Sequence, residues 1–244
     1  MTPTLKIYPG REQLGEQLAE DLISWVETLS REKDCVNIAL SGGRTPSFLF
    51  RALVDRAPGV DWQKARFFWV DERCVPAAHP ESNFGAAYSS FLEPVSIAEG
   101  NYFRIRGEDD PEEEAERYGE LIREMVPADG DVPQFDIVLL GMGSDGHTAS
   151  IFPHEIELWH AESLCTVGTH PETGQKRVTF TGRLINAASK VVFLVAGKDK
   201  ATIVQEVIRQ SGQYLTYPAA LVHPVSGSLH WYIDADAGTI TSKA

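Results

Sequence analysis

The sequence predicts an α/β protein of three layers, with helices over both faces of a mostly parallel sheet. Short, mostly apolar runs recur near 36–40, 66–70, 136–140 and 190–196. Segments between the first three runs and after the last carry helical periodicity. Three of the runs also empty at once into loops rich in glycine or charge. Strands buried on both faces read as continuous apolar runs, and their alternation with helices gives a parallel sheet.

Taken in order, a first helix is expected over 11–29, where Leu14, Leu18, Leu22, Trp25, Val26 and Leu29 fall on one face. Val36 to Leu40 is a strand, followed by the glycine turn Ser41-Gly-Gly-Arg-Thr-Pro46 and a helix from Ser47 to Val54. Arg66 to Val70 is the next strand, entering Asp71-Glu-Arg-Cys-Val-Pro76, with a short helix expected over Asn83 to Phe91. Residues 108–116 hold seven acids in nine positions. Pro111 suits a first helical turn, and the acids beside it complement the helix dipole. With Tyr118, Leu121, Ile122 and Met125 as its apolar stripe, this helix is expected to be solvated and to take no part in catalysis. Ile137 to Leu140 reads as a doubly buried strand. Segment 154–176, with Pro171 and Gly174, reads as a partly irregular cover over the site. Val191 to Val195 is a strand, and Ala201, Ile203, Val204, Val207 and Ile208 mark a long final helix. No repeat, heptad pattern or linker interrupts the chain, so one domain is expected across 1–244.

Composition narrows the partners. The 244 residues are 43% hydrophobic and 23% charged, ordinary values for a globular protein able to bury a full core. A net charge of −13 argues against nucleic acid or an anionic membrane as partner, whereas a small anion needs only local positive charge. The apolar stretches are strand-sized, and Met1 to Lys6 lacks a signal-peptide core. Cys35, Cys74 and Cys165 are odd in number and lack metal-like spacing, so reduced thiols and a cytoplasmic location are expected. Cys74 adjoins a charged loop, but only Arg73 is at hand to depress its pKa, which favours packing over nucleophilic work.

The chemistry concentrates in three loops. Gly141-Met-Gly-Ser-Asp-Gly-His147 follows a buried strand, and its glycines permit a sharp turn and close ligand approach. Asp145 and His147 would then face the crevice at the strand ends; alone, the pair could equally be a helix cap and a polar loop residue. Ser41-Gly42-Gly43-Arg44-Thr45 leaves backbone N–H groups free at a helix start, a setting for a phosphate, although its spacing is neither a dinucleotide fingerprint nor a Walker loop. Asp71, Glu72 and Arg73 crowd the third strand end, as a salt-bridged turn or as a site. In a parallel sheet all three loops open on the same edge.

These segments, SGGRTP, VDERCVP with ESNF downstream, and GMGSDGHTASIFP, resemble the signature loops of the 6-phosphogluconolactonases. The resemblance extends to Arg177-Val-Thr-Phe180, to Val191 to Ala201, and to the closing Tyr217-Pro-Ala-Ala220 and Leu229 to Asp234. The related glucosamine-6-phosphate deaminases share the Gly-Asp-Gly-His core, but the flank Thr148 to Pro153 and Arg73 after Asp71-Glu72 are lactonase-like. Ser144 stands where the family commonly has proline, and Ile151 where leucine is usual. The resemblance implies a Rossmann-like sheet and hydrolysis of 6-phospho-D-glucono-1,5-lactone in the oxidative pentose phosphate pathway. A small anionic sugar phosphate is then the partner, and neither cofactor nor metal is expected. Asp71, Asp145 and His147 would make only a partial metal shell, and no paired His or Cys spacing supports one.

On that reading His147 is base and then acid, because an imidazole titrating near 6.5 can take a proton from water and return it to the ring oxygen. Arg73 meets the developing oxyanion or orients the lactone. Asp145 shapes the loop or binds a sugar hydroxyl, and Asn83 and Gly143 are expected at the substrate. Gly42 and Gly43, with Arg177 and Lys200, are expected to hold the phosphate, helped by Ser41, Arg44 and Thr45, with Lys198 the rival of Lys200. Two alternatives stay open. A hexosamine-phosphate isomerase-deaminase would use Asp71 as its carbon base, and a sugar-phosphate sensor would bind without turnover.

Overall fold

The computed structural model describes residues 3–43 and 46–239. In chain order the elements are β1 (Thr4–Tyr8), α1 (Arg11–Glu32), β2 (Val36–Leu40), α2 (Pro46–Arg56), β3 (Ala65–Trp69), β4 (Asp71–Arg73), α3 (Asn83–Ala87), β5 (Tyr102–Phe103) and α4 (Pro111–Met125). Then come β6 (Ala128–Asp129), β7 (Val132–Pro133), β8 (Ile137–Leu140), β9 (Cys165–Thr169), β10 (Lys176–Phe180), α5 (Gly182–Ala187), β11 (Lys190–Val195), α6 (Ala201–Arg209) and β12 (Ser228–Asp234).

Seven strands form one sheet in the order β1-β12-β11-β8-β2-β3-β5, every neighbouring pair parallel. Every residue of β2 and β8 is buried, which is why both read as uncharged runs, apolar throughout in β8 and interrupted only by Asn37 in β2. Alternation along β3 divides the two faces. Phe67 points to Trp62 and Phe91, and Phe91 in turn stacks on Phe50 of α2. Phe68 points the other way, to Phe103 and Phe135, and Phe135 leads through Phe180 to Tyr118 of α4. The three-layer α/β/α expectation is met.

The chain runs outward from β2 through β3 to β5, and from β8 through β11 to β12 in the other direction. Adjacent β2 and β8 are therefore the switch point, outside whose carboxyl ends a parallel sheet opens a crevice. A second, antiparallel sheet, β4-β10-β9, stands beyond β3 and sets Arg73 opposite Arg177.

Several details differ from the sequence reading. The final helix is short: α6 ends after nine residues, where Gln210 turns left-handed at φ 50°. The cover segment contains a strand, β9, as well as the irregular turns around Pro153–His160. Helix α3 stops at Ala87 and continues as one wide turn over Tyr88–Leu92. The acidic helix is not wholly solvated. Glu114 is 1% exposed, pairs with Arg117 at 2.5 and 2.6 Å, and accepts the Arg106 N–H at 2.7 Å. No helix among the described residues is long and apolar enough to cross a membrane.

Candidate active site

A cleft of about 290 Å³ opens at the carboxyl ends of β2, β8 and β11, lined by residues of all three sequence-marked loops. Among the described residues, four cations, Arg11, Arg73, Arg177 and Lys200, face it beside the carboxylates of Asp71 and Asp199. Local positive charge is thus gathered in a chain whose net charge is strongly negative.

The β8 loop is built around one histidine. Gly146 at φ 85° and Ala149 at φ 49° reverse the chain, Gly143 N–H donates to His147 O at 2.8 Å, and Thr148 Oγ1 donates to Gly141 O at 2.8 Å. This folding brings His147 Nδ1 to 2.6 Å from Asp145 Oδ1, which also accepts the His147 backbone N–H at 3.1 Å. A Cβ at Gly143 would overlap both His147 Nδ1 and Asp145 Oδ1, so this position admits only glycine with the pair in place. Burial alone would raise the Asp145 carboxyl, but the hydrogen bond and charge of His147 prevail and hold it at about 2. Asp145 is therefore an acceptor at neutral pH. Nδ1 must carry the proton between them, which makes Nε2 the lone-pair nitrogen of the neutral ring. The ring packs on Phe152 with centroids 4.6 Å apart, and the Arg177 guanidinium lies over the same phenyl ring at 5.5 Å.

The β3 loop forms one wall. Glu72, 2% exposed, accepts Ser82 Oγ at 2.9 Å and the N–H groups of Arg73, Asn83 and Phe84 at 2.7–2.8 Å. The loop is thereby fastened to the start of α3, and burial still raises the Glu72 carboxyl above its ordinary value. Asn83 is held over the cleft by donating to Asp71 O at 2.9 Å. Asp71 Oδ2 accepts Ser150 Oγ at 2.6 Å, and Arg177 Nη1 reaches the same Ser150 oxygen at 3.5 Å. Arg177 is 9% exposed, and burial lowers its guanidinium while Asp71 opposes that shift; it remains a cation at neutral pH. Three buried atoms of this wall, Arg73 Nε, Arg177 Nε and Asn83 Oδ1, have no protein partner among the described residues. Buried polar atoms are rarely left unpaired, so the wall is made to receive polar groups.

The β2 loop lies alongside. Gly43 turns at φ 102°, and a Cβ at Gly42 would overlap the Asn83 side chain, so the backbone comes close to the wall only because position 42 is glycine. Ser41 lines the cleft, and its hydroxyl donates to Leu139 O at 2.9 Å, tying β2 to β8. Arg44 and Thr45 lie outside the described residues. Of the two lysines after β11, Lys200 lines the cleft with its side chain 18% exposed, whereas Lys198 does not line it. Burial pushes the Cys74 thiol up to about 11, the wrong direction for a nucleophile.

The sequence reading missed Arg11, which lines the cleft, and Ser150, which joins Asp71 to Arg177. Ser150 was visible as part of the third signature loop, but its bond to Asp71 crosses from one loop to another. Arg11 sits in an ordinary amphipathic helix and carries no local signal.

The glucosamine-6-phosphate isomerase/6-phosphogluconolactonase family model matches residues 9–231. This chain belongs to that family. A 6-phosphogluconolactonase of Treponema pallidum is 47% identical over 191 residues, covering 78% of this chain and 79% of the relative. One from Haemophilus influenzae is 36% identical over 94% of this chain and 96% of its own. The solved structure of the 6-phosphogluconolactonase of Trypanosoma brucei, 26% identical, superposes with a TM-score of 0.88 over 98% of both chains. The shared architecture is the α/β fold.

Proposed function

We propose that the chain hydrolyses 6-phospho-D-glucono-1,5-lactone to 6-phospho-D-gluconate, the lactone-opening step of the oxidative pentose phosphate pathway, with His147 as base and then acid. The observation that carries this reading is the 2.6 Å contact of His147 Nδ1 with an ionised Asp145 in a cleft lined by Arg73 and Arg177. In the neutral form of that ring Nε2 is the acceptor, and it lies beside cations suited to an anionic substrate. The family relationship and the names of the relatives above support the same reaction.

In this mechanism Nε2 accepts a proton as water oxygen adds to C1. Negative charge then develops on the carbonyl oxygen, where the Arg73 guanidinium stabilises it by about 3–4 kcal/mol, the range of a single oxyanion-hole donor. The tetrahedral carbon expels the ring oxygen, which takes the proton back from the imidazolium. Asp145 stabilises that imidazolium and orients it, a positioning role. Asp71, engaged by Ser150 and Asn83, holds the wall that presents Arg177. Gly42, Gly43, Arg177 and Lys200 are assigned to the phosphate, whose grip far from C1 keeps the reacting carbon in register.

The deciding experiment measures acid release from freshly generated lactone with spontaneous hydrolysis subtracted, for wild type and His147→Ala, with glucosamine 6-phosphate assayed in parallel. Wild-type turnover that falls roughly 100- to 10,000-fold in the variant is expected from loss of general acid–base catalysis. A fully active His147→Ala protein would overturn the mechanism. Ammonia release from the amino sugar without lactone turnover would move the assignment to the deaminase chemistry, with Asp71 as base.

A further inference from the structure

Arg11 lines the cleft from the first turn of α1, on the β11–β12 side of His147. The acid beneath it is Asp234, 2% exposed at the end of β12. Asp234 takes the Gly197 N–H on both oxygens at 3.0 and 3.1 Å and the Ala237 N–H at 2.8 Å. Arg11 Nε lies 3.9 Å from Asp234 Oδ2, the outer limit of an ion pair, and Arg11 makes no hydrogen bond among the described residues. The buried acid therefore directs the guanidinium without satisfying its donors. Gly197 gives it room. At φ 109° this glycine sits where a Cβ would be 3.2 Å from Arg11 Nη2. The same turn delivers Lys200 into the cleft, with Asp199 Oδ2 at 3.3 Å from its ammonium. Asp199 is 63% exposed, so water screens much of its charge, while 52% of the Arg11 side chain remains open.

We infer that Arg11 is a further phosphate-binding residue of this site, forming with Lys200 a two-cation seat beside the turn after β11. This rests on the reading of the substrate as a phosphorylated lactone. A guanidinium fork can take two phosphate oxygens while an ammonium takes a third as a point charge, so the two cations are complementary rather than redundant. The seat lies on the β11 side of the β8 loop, in the same cleft as Gly42 and Gly43 on its β2 side.

The test compares wild type, Arg11→Gln and Arg11→Lys in the full chain, with 6-phosphogluconolactone and unphosphorylated gluconolactone as substrates and inorganic phosphate as a calorimetric titrant. Gln keeps good helix propensity at this half-exposed position. The expected result is a KM for the phosphorylated lactone raised about tenfold in Arg11→Gln, the effect of losing one charge-assisted contact in a partly open cleft. The preference for phosphorylated over unphosphorylated substrate in kcat/KM falls by the same factor, phosphate binding weakens in parallel, and Arg11→Lys recovers part of the loss. Equal losses on both lactones, or unaltered phosphate affinity, overturn the inference. Absence of wild-type lactone turnover would defeat the proposed function, and the phosphate titration would still decide the role of Arg11.

Discussion

Replacing Asp145 by Asn tests the site where its geometry is most specific. Asp145 Oδ1 accepts both Nδ1 and the backbone N–H of His147, and the carboxyl is held at about 2 against an ordinary 3.8. That gap corresponds to a little over 2 kcal/mol at about 1.4 kcal/mol per tenfold. With 41% of the side chain in water, screening reduces the effect to about 1 kcal/mol. An Asn that keeps its oxygen toward Nδ1 therefore lowers kcat about fivefold, because the imidazolium formed with the transition state loses its counter-charge. An Asn that turns its amide N–H₂ toward Nδ1 forces the proton onto Nε2 and removes the base, which extends the loss toward the roughly 100- to 10,000-fold of general base catalysis. We expect kcat to fall between about 5- and 1,000-fold with KM changed little, read from initial rates of acid release after background subtraction. A kcat within about twofold of wild type would refute the claim that Asp145 sets the tautomer of His147 and stabilises the imidazolium formed on it.

Three further substitutions have expected outcomes. Gly143→Ala drives a Cβ into both members of the Asp145–His147 pair, and should cut kcat more than about 100-fold while the unfolding midpoint moves little; a fully active variant would show that the pair need not be in contact. Glu72→Gln turns one acceptor oxygen of a buried carboxylate into a donor facing other donors, and should lower stability by about 2–3 kcal/mol in urea denaturation, with a loss below about 0.5 kcal/mol contradicting its role as the fastening of α3. His230 is held at about 4 by burial, with Lys190 and Lys6 adding to the effect. The fold prefers the neutral ring, so the stability it contributes is full above about 6.5 and is lost as pH falls through about 4. His230→Phe should flatten the stability profile across that window by about 1–2 kcal/mol, and an unchanged acid limb would exclude His230 as its cause.

The sequence marks the strands β2, β3, β8 and β11 without their neighbours, because a strand buried on both faces is largely apolar; Asn37, Arg66 and Lys190 are the polar exceptions. It also determined the loops that follow β2, β3 and β8, since glycines and charges abruptly ending an apolar run have no role in a core. Strand β9 escaped because Cys165 to Thr169 mixes buried and half-exposed positions at the rim of the small sheet. Burial of Glu114 escaped because an acid pairing with Arg117 on its own helix looks in sequence like any solvated charge. Only the tertiary structure decided which charges share the cleft. The β4–β10 register sets Arg177 opposite Arg73, Ser150 crosses to Asp71, and the β12 carboxylate of Asp234 brings the start of α1 against the turn carrying Lys200. Periodicity reports the local surroundings of a side chain, whereas a site assembled from separate strand ends depends on strand order and register, which are settled by packing across the whole sheet.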